Sequence, residues 1–84
     1  MANFDELIKS SENVLVDFYA TWCGPCQTLM PILEELKEEL GEKLRIIKID
    51  VDRHQKFAAQ MGVRGVPGLF FYKEGKLIKN TSGV

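Results

Sequence analysis

The run Val14-Leu15-Val16-Asp17-Phe18-Tyr19-Ala20 constrains this chain more than any other stretch, because it is a nearly continuous series of apolar strand formers. A run of this kind marks a strand buried on both faces, so structure must cover it from above and below. Only Asp17 interrupts it. Directly after it stands Trp22-Cys23-Gly24-Pro25-Cys26, which holds the only two cysteines. There follows a stretch in which Leu29, Ile32, Leu33, Leu36 and Leu40 recur at a period of about 3.6, opposite Glu34, Glu35, Lys37, Glu38 and Glu39. That is an amphipathic helix opening at the cysteines. Gly41 supplies its stop, and Pro31 inside it predicts a bend.

Before the strand, Phe4, Leu7 and Ile8 recur at helical spacing, with Asn3 as N-cap and Asp5 and Glu6 favouring the helix dipole, and the helix is expected to end near Ser10-Ser11. Beyond Gly41, Leu44 to Val51 reads as a second strand and Gln55 to Met61 as a short helix ending at Gly62. After Val63-Arg64-Gly65-Val66-Pro67-Gly68 come Leu69-Phe70-Phe71-Tyr72, the turn Lys73-Glu74-Gly75-Lys76, and Leu77-Ile78, which form a hairpin. The order implies an α/β fold: a mixed β-sheet with a parallel βαβ unit and an antiparallel hairpin, flanked by helices.

At 84 residues the chain has room for a single domain spanning 1–84, near the lower limit for one hydrophobic core. Eleven Lys and Arg against twelve Asp and Glu argue against nucleic acid or an anionic membrane as partner. A composition 45% hydrophobic and 27% charged is that of a globular domain without a membrane span. Met1 to Glu6 lacks a basic stretch followed by an apolar core, so no signal peptide is expected and a cytoplasmic, reducing compartment is the default.

In such a compartment a cysteine pair seldom forms a permanent bridge, so Cys23 and Cys26 point to a transient, catalytic disulfide. A structural bridge is the competing reading. A structural zinc site would need about four ligands, and two cysteines with His54 fall short, so no metal is expected. Cys23, at a helix start, meets free amides and the positive dipole end, which lowers its pKa. Cys26, one turn further, is expected to be less exposed. Gly24-Pro25 restricts the backbone between the two sulfurs and so tunes the redox potential. His54 reads as a solvated helix start, and Met30 and Met61 read as core filler.

Val16-Asp17-Phe18-Tyr19-Ala20, Trp22-Cys23-Gly24-Pro25-Cys26, Pro31, Lys48-Ile49-Asp50-Val51-Asp52 and Gly62-Val63-Arg64-Gly65-Val66-Pro67 closely resemble the thioredoxin family over essentially the whole chain. The resemblance implies a thioredoxin-like fold and an oxidoreductase that reduces protein disulfides, serving electron transport and cell redox homeostasis. Cys23 would attack the substrate and Cys26 would resolve the mixed disulfide. Asp17 would take the proton of Cys26, through a water, and Lys48 would tune Asp17. Trp22, Gly65, Val66 and Pro67 would form the substrate surface, with a cis Val66-Pro67 bond, and Gly83 and Val84 would lie at its far edge. No bound cofactor is implied, since electrons would come from a thioredoxin reductase dependent on NADPH or ferredoxin. A non-catalytic binding module using the same surface, or a disulfide isomerase, is the alternative.

Two departures stand out. Gly68 replaces the family's usual Thr after the proline, and the chain stops at Thr81-Ser82-Gly83-Val84, about where the family's C-terminal helix begins. The family's short first strand also has no counterpart. Leaving ~200 Å² of apolar surface uncovered would cost about 5 kcal/mol, comparable to the whole stability of a small domain. The expectation is a chain truncated at its C-terminus and marginal alone, or completed by another chain through dimerisation or domain swapping.

Overall fold

The computed structural model describes residues 3–82. Helix α1 (Phe4–Ile8) is capped by Asn3, whose Oδ1 accepts the Glu6 backbone N–H at 3.2 Å. It is followed by β1 (Asn13–Tyr19), α2 (Gly24–Leu40), a single 3₁₀ turn (Gly41–Lys43), β2 (Leu44–Asp50), α3 (Gln55–Gln60), β3 (Gly68–Lys73) and β4 (Lys76–Ser82). The strands form one sheet in the order β2-β1-β3-β4. The β1–β2 pair is parallel, with Asp17 opposite Lys48, while β1–β3 and β3–β4 are antiparallel. Two chain-adjacent strands can lie parallel only if a long crossover returns the chain, and α2 is that crossover.

Alternation along the strands divides the core. Val14, Val16, Phe18, Ile49, Phe70 and Tyr72 face α1 and α3, where Phe4, Phe57 and Met61 pack against them. Ring contacts seal this side: Phe4 to Phe57 at 4.9 Å and Phe18 to Phe70 at 5.3 Å between centroids. Leu15, Leu44, Ile46, Leu69 and Phe71 face α2, which answers with Leu33 and Leu29.

This second face is open. Of the apolar stripe on α2 only Leu33 is buried; Ile32 is 57% exposed, and Leu36 and Leu40 also reach solvent. Leu15, Leu36, Leu69 and Phe71 line a cleft bounded by Lys79, Asn80 and Thr81 of β4. Among the described residues no helix follows β4. Helix α2 runs through Pro31 without interruption.

Three expectations need correction. Met30 is 37% exposed rather than core, because α2 touches the sheet through Leu29 and Leu33 and turns Met30 toward a cleft beside Asp17. The last strand does not stop at Ile78 but continues to Ser82, since β3 offers ladder partners as far as Gly68. Helix α1 ends at Ile8, short of Ser10. The hairpin turn is as expected: Glu74 and Gly75 both have positive φ, the pattern of a type I′ turn. Gly75 has a second reason to be glycine, since a Cβ there would lie 2.8 Å from Cγ of Lys9. Gly83 and Val84 lie outside the described residues.

The unequal faces give different weights to neighbouring leucine-type positions. Leu33→Ala, which empties a site 3% exposed, is expected to destabilise by about 2–5 kcal/mol. Ile32→Ala, the adjacent position, about 100° around the helix and 57% exposed, should cost under ~1 kcal/mol. Urea unfolding of both variants measures the difference, and equal losses would contradict an open α2 face.

Candidate active site

Cys23 and Cys26 are joined by a disulfide at the N-terminus of α2, with their Cα atoms 5.3 Å apart. Chain direction explains the location. Strand β1 ends at Tyr19, the Cys23 backbone N–H donates to the Ala20 carbonyl at 3.2 Å, and the turn this closes delivers Cys23 as the N-cap of α2. Pro25 occupies the first turn, where its lack of an N–H costs nothing. The Cys26 backbone N–H instead donates to Cys23 Sγ at 3.1 Å. Once the bond is reduced, that donor and the helix dipole favour a thiolate on Cys23. The two cysteines are almost equally covered, at 4% and 3% exposure, so Cys26 is not distinctly the more hidden.

The Val66–Pro67 peptide is cis, and the Val66 carbonyl oxygen lies 3.7 Å from Cys23 Sγ. Pro67 is buried against this edge of the sheet, and Gly65 and Val66 are half-buried beside it. A Cβ on Gly68 would meet Val63 Cγ1 at 3.2 Å, so the Val63 side chain already fills the space a larger residue would need. Trp22 is 70% exposed, and its Nε1–H donates to Asp52 Oδ2 at 2.9 Å. Asp52 is steadied in turn, since its N–H donates to Asp50 Oδ1 at 2.9 Å. Gln27 ties the first turn of α2 to the preceding loop by donating from Nε2 to the Thr21 carbonyl at 3.1 Å.

Behind the disulfide, on the α2 side of β1, Asp17 is 1% exposed, and its Oδ1 has no hydrogen-bond partner among the described residues. Burial pushes its carboxyl from an ordinary 3.8 up to about 6, while the Lys48 ammonium acts the other way. Lys48 itself is exposed. Asp17, Cys26, Met30 and Lys48 all border one cleft of about 280 Å³, large enough for several waters. A proton could therefore pass between Cys26 and Asp17 through solvent.

The residues singled out in the sequence thus fall into one region: Cys23, Gly24, Pro25 and Cys26 at the helix start, Asp17 and Lys48 behind, and Trp22 bordering one cleft with Gly65 and Val66, next to Pro67. Sequence reasoning assigned no part to Asp52, Asp50 or Gln27. Asp52 lies 30 residues from Trp22, and no periodicity connects them. His54 occupies the N-cap position of α3 without a side-chain capping bond and is exposed. Among the described residues no three His, Cys, Asp or Glu side chains gather as metal ligands, and no helix is long and apolar enough to cross a membrane.

The Asp17 shift carries a consequence for stability. Its folded pKa is above the unfolded value, so the native state holds an extra proton between about pH 4 and 6. Stability from this group is therefore full below pH 4 and is lost as pH rises through 6. Asp17→Asn should unfold at higher urea than the parent at pH 7.5, by about 1–2 kcal/mol after allowance for solvent screening. Near pH 4 the two should coincide. Parity at pH 7.5 would contradict an uncompensated buried carboxylate.

Comparison with known proteins agrees with this geometry. The Thioredoxin family model matches residues 1–84. Thioredoxin of Bacillus subtilis (strain 168) is 49% identical over 76 residues, a match covering 89% of this chain and 73% of that protein. Thioredoxin Y, chloroplastic, of Oryza sativa subsp. japonica is 47% identical over 76 residues, but this chain spans only 45% of its length. Among solved structures, oxidised mitochondrial thioredoxin 3 of Saccharomyces cerevisiae superposes with a TM-score of 0.85 at 37% identity, covering 96% of this chain and 76% of that one. A mutant thioredoxin from Halobacterium salinarum NRC-1 gives the same TM-score at 41% identity, covering 99% and 72%. With the family model matched from end to end and the Cys-x-x-Cys pair bonded at the start of α2, the chain belongs to the thioredoxin family of oxidoreductases.

Proposed function

We propose that the protein reduces exposed disulfides of other proteins by cycling Cys23 and Cys26 between dithiol and disulfide. The observation that carries this reading is the bonded pair at a helix N-terminus, with the Cys26 backbone N–H donating to Cys23 Sγ and the orphaned Asp17 Oδ1 on a residue sharing a cleft with Cys26. The orphaned carboxyl does nothing for stability, and both features suit thiol chemistry.

In this reading the Cys23 thiolate attacks one sulfur of the substrate disulfide. The substrate S–S bond breaks, one substrate sulfur leaves as a thiolate and is protonated, and a mixed disulfide remains on Cys23. Cys26 passes its proton through the cleft to Asp17, then attacks Cys23 Sγ and expels the second substrate thiolate, which is protonated by solvent as Asp17 gives its proton back to water. The substrate has gained two electrons and two protons, and the protein holds the Cys23–Cys26 bond. Lys48 keeps the Asp17 pKa from rising further, so the carboxyl still exchanges protons near neutral pH. Trp22 and the Gly65-Val66-Pro67 backbone form the docking surface, Val66 pairing with an extended substrate segment. Among the described residues no backbone hydrogen bond engages Val66, which suits that use. Gly24 and Pro25 set the ease of ring closure. A thioredoxin reductase drawing on NADPH or ferredoxin returns the electrons, and the compartment is a reducing one, the cytoplasm.

Insulin disulfide reduction, followed with thioredoxin reductase and NADPH, tests the whole cycle. The parent should turn over, Cys23→Ser should be inactive, and Cys26→Ser should accumulate a mixed disulfide that mass spectrometry detects. The rate of resolution should rise with pH through about 6, where Asp17 ionises and becomes able to accept the proton. No turnover by a folded parent protein would refute the reading.

A further inference from the structure

Three hydrogen bonds converge on one exposed hydroxyl at the end of β4. Ser82 Oγ accepts the backbone N–H of Arg64 at 3.0 Å and that of Gly65 at 3.1 Å, and it donates to the Gly65 carbonyl oxygen at 3.4 Å. A serine hydroxyl has one hydrogen and two lone pairs, so its full capacity is spent on a single turn of another segment. That turn needs it. Val63 N–H closes onto the Ala58 carbonyl at the end of α3, but among the described residues Arg64 and Gly65 have no backbone partner, and only Ser82 engages their amides.

The register shows what the clamp controls. Ser82 pairs with Gly68, the first residue of β3, so β4 ends level with the chain segment that contains the cis peptide. Gly65 directly precedes Val66, whose carbonyl oxygen stands 3.7 Å from Cys23 Sγ. A loop held at Arg64 and Gly65 on one side and at β3 on the other leaves Val66 little freedom. Without the clamp, Val66 would hang between Val63 and Pro67, and its carbonyl could move relative to the sulfur.

We propose that Ser82 is a positioning residue for substrate docking: its hydroxyl fixes the Arg64–Gly65 turn so that the Val66 backbone is presented beside Cys23 as a ready strand edge. This rests on the reading above, in which an extended disulfide-bearing segment pairs with Val66. The clamp acts on docking and not on sulfur chemistry, so it discriminates between substrates. A protein disulfide that must lie along Val66 depends on it, while a small disulfide that needs only the Cys23 sulfur does not.

Ser82→Ala and Ser82→Thr in the full chain test this with two probes: insulin, with dithiothreitol as reductant, and 5,5′-dithiobis(2-nitrobenzoate), mixed with pre-reduced protein freed of dithiothreitol. Ser82→Ala should raise KM for insulin about five- to tenfold with kcat little changed, the loss expected for hydrogen bonds of ordinary net strength. Its rate with the small aromatic disulfide should stay within about twofold of the parent. Ser82→Thr, which keeps the hydroxyl, should restore the insulin KM. An unchanged insulin KM in Ser82→Ala, an equal loss on both probes, or no rescue by Thr would each overturn the proposal. Amide hydrogen exchange judges the clamp apart from turnover: the Arg64 and Gly65 N–H groups should be protected in the parent and lose protection in Ser82→Ala. Free-loop exchange rates in the parent would overturn the clamp even if the Ala variant failed to fold. A parent with protected amides that left insulin intact would instead refute the proposed function, and the docking role with it.

Discussion

Burial of β1 on both faces is the constraint from which the rest of the structure follows. Val14, Val16 and Phe18 have no exposed surface, and the strand is paired on both edges, parallel to β2 and antiparallel to β3. A strand so enclosed needs a long crossover to its parallel neighbour, and that crossover must begin where β1 ends. The start of α2, with its free amides, is therefore fixed at the carboxyl end of the central strand. The redox pair occupies the one helix terminus whose position the core determines most tightly.

The same enclosure accounts for Asp17. Period-two alternation turns residue 17 away from the aromatic core and toward α2, into the cleft shared with Cys26. An apolar residue there would pack without penalty. A carboxyl with an orphaned oxygen instead destabilises the fold at neutral pH and gains a pKa suited to exchanging protons with a thiol. Local rules of folding are broken at the point where chemistry benefits.

Elements that follow from near-neighbour patterns are legible in the sequence alone. The apolar run of β1, the 3.6-residue stripe of α2, the Asn3 cap and the Glu74-Gly75 turn each declare themselves within a few residues. The family motifs added the cis Val66–Pro67 bond, which no local pattern specifies. What stayed hidden depends on contacts between distant segments. Trp22 meets Asp52 across 30 residues, and Ser82 meets Gly65 across 17. The full length of β4 is hidden because Lys79-Asn80-Thr81-Ser82 has weak strand propensity, and its ladder with Phe71, Phe70, Leu69 and Gly68 overrides that preference. Met30 was misplaced because helical periodicity identifies an apolar side but not how much sheet lies beneath it.

The two faces of the sheet are held by different kinds of force, and the difference follows from what each must do. The α1–α3 face is sealed by aromatic packing. Around the disulfide, packing cannot supply the same order, because a surface that receives another protein's disulfide must stay open to solvent. Order there comes from polar ties to backbone and carboxylate groups: Trp22 to Asp52, Gln27 to the Thr21 carbonyl, and Ser82 to the Arg64 and Gly65 amides. Each is exposed and contributes only ~0.5–1.5 kcal/mol net, far less than a buried aromatic ring. Their value is directional, since a hydrogen bond fixes an orientation that apolar contact does not. The site thus stays accessible while its backbone remains fixed in orientation.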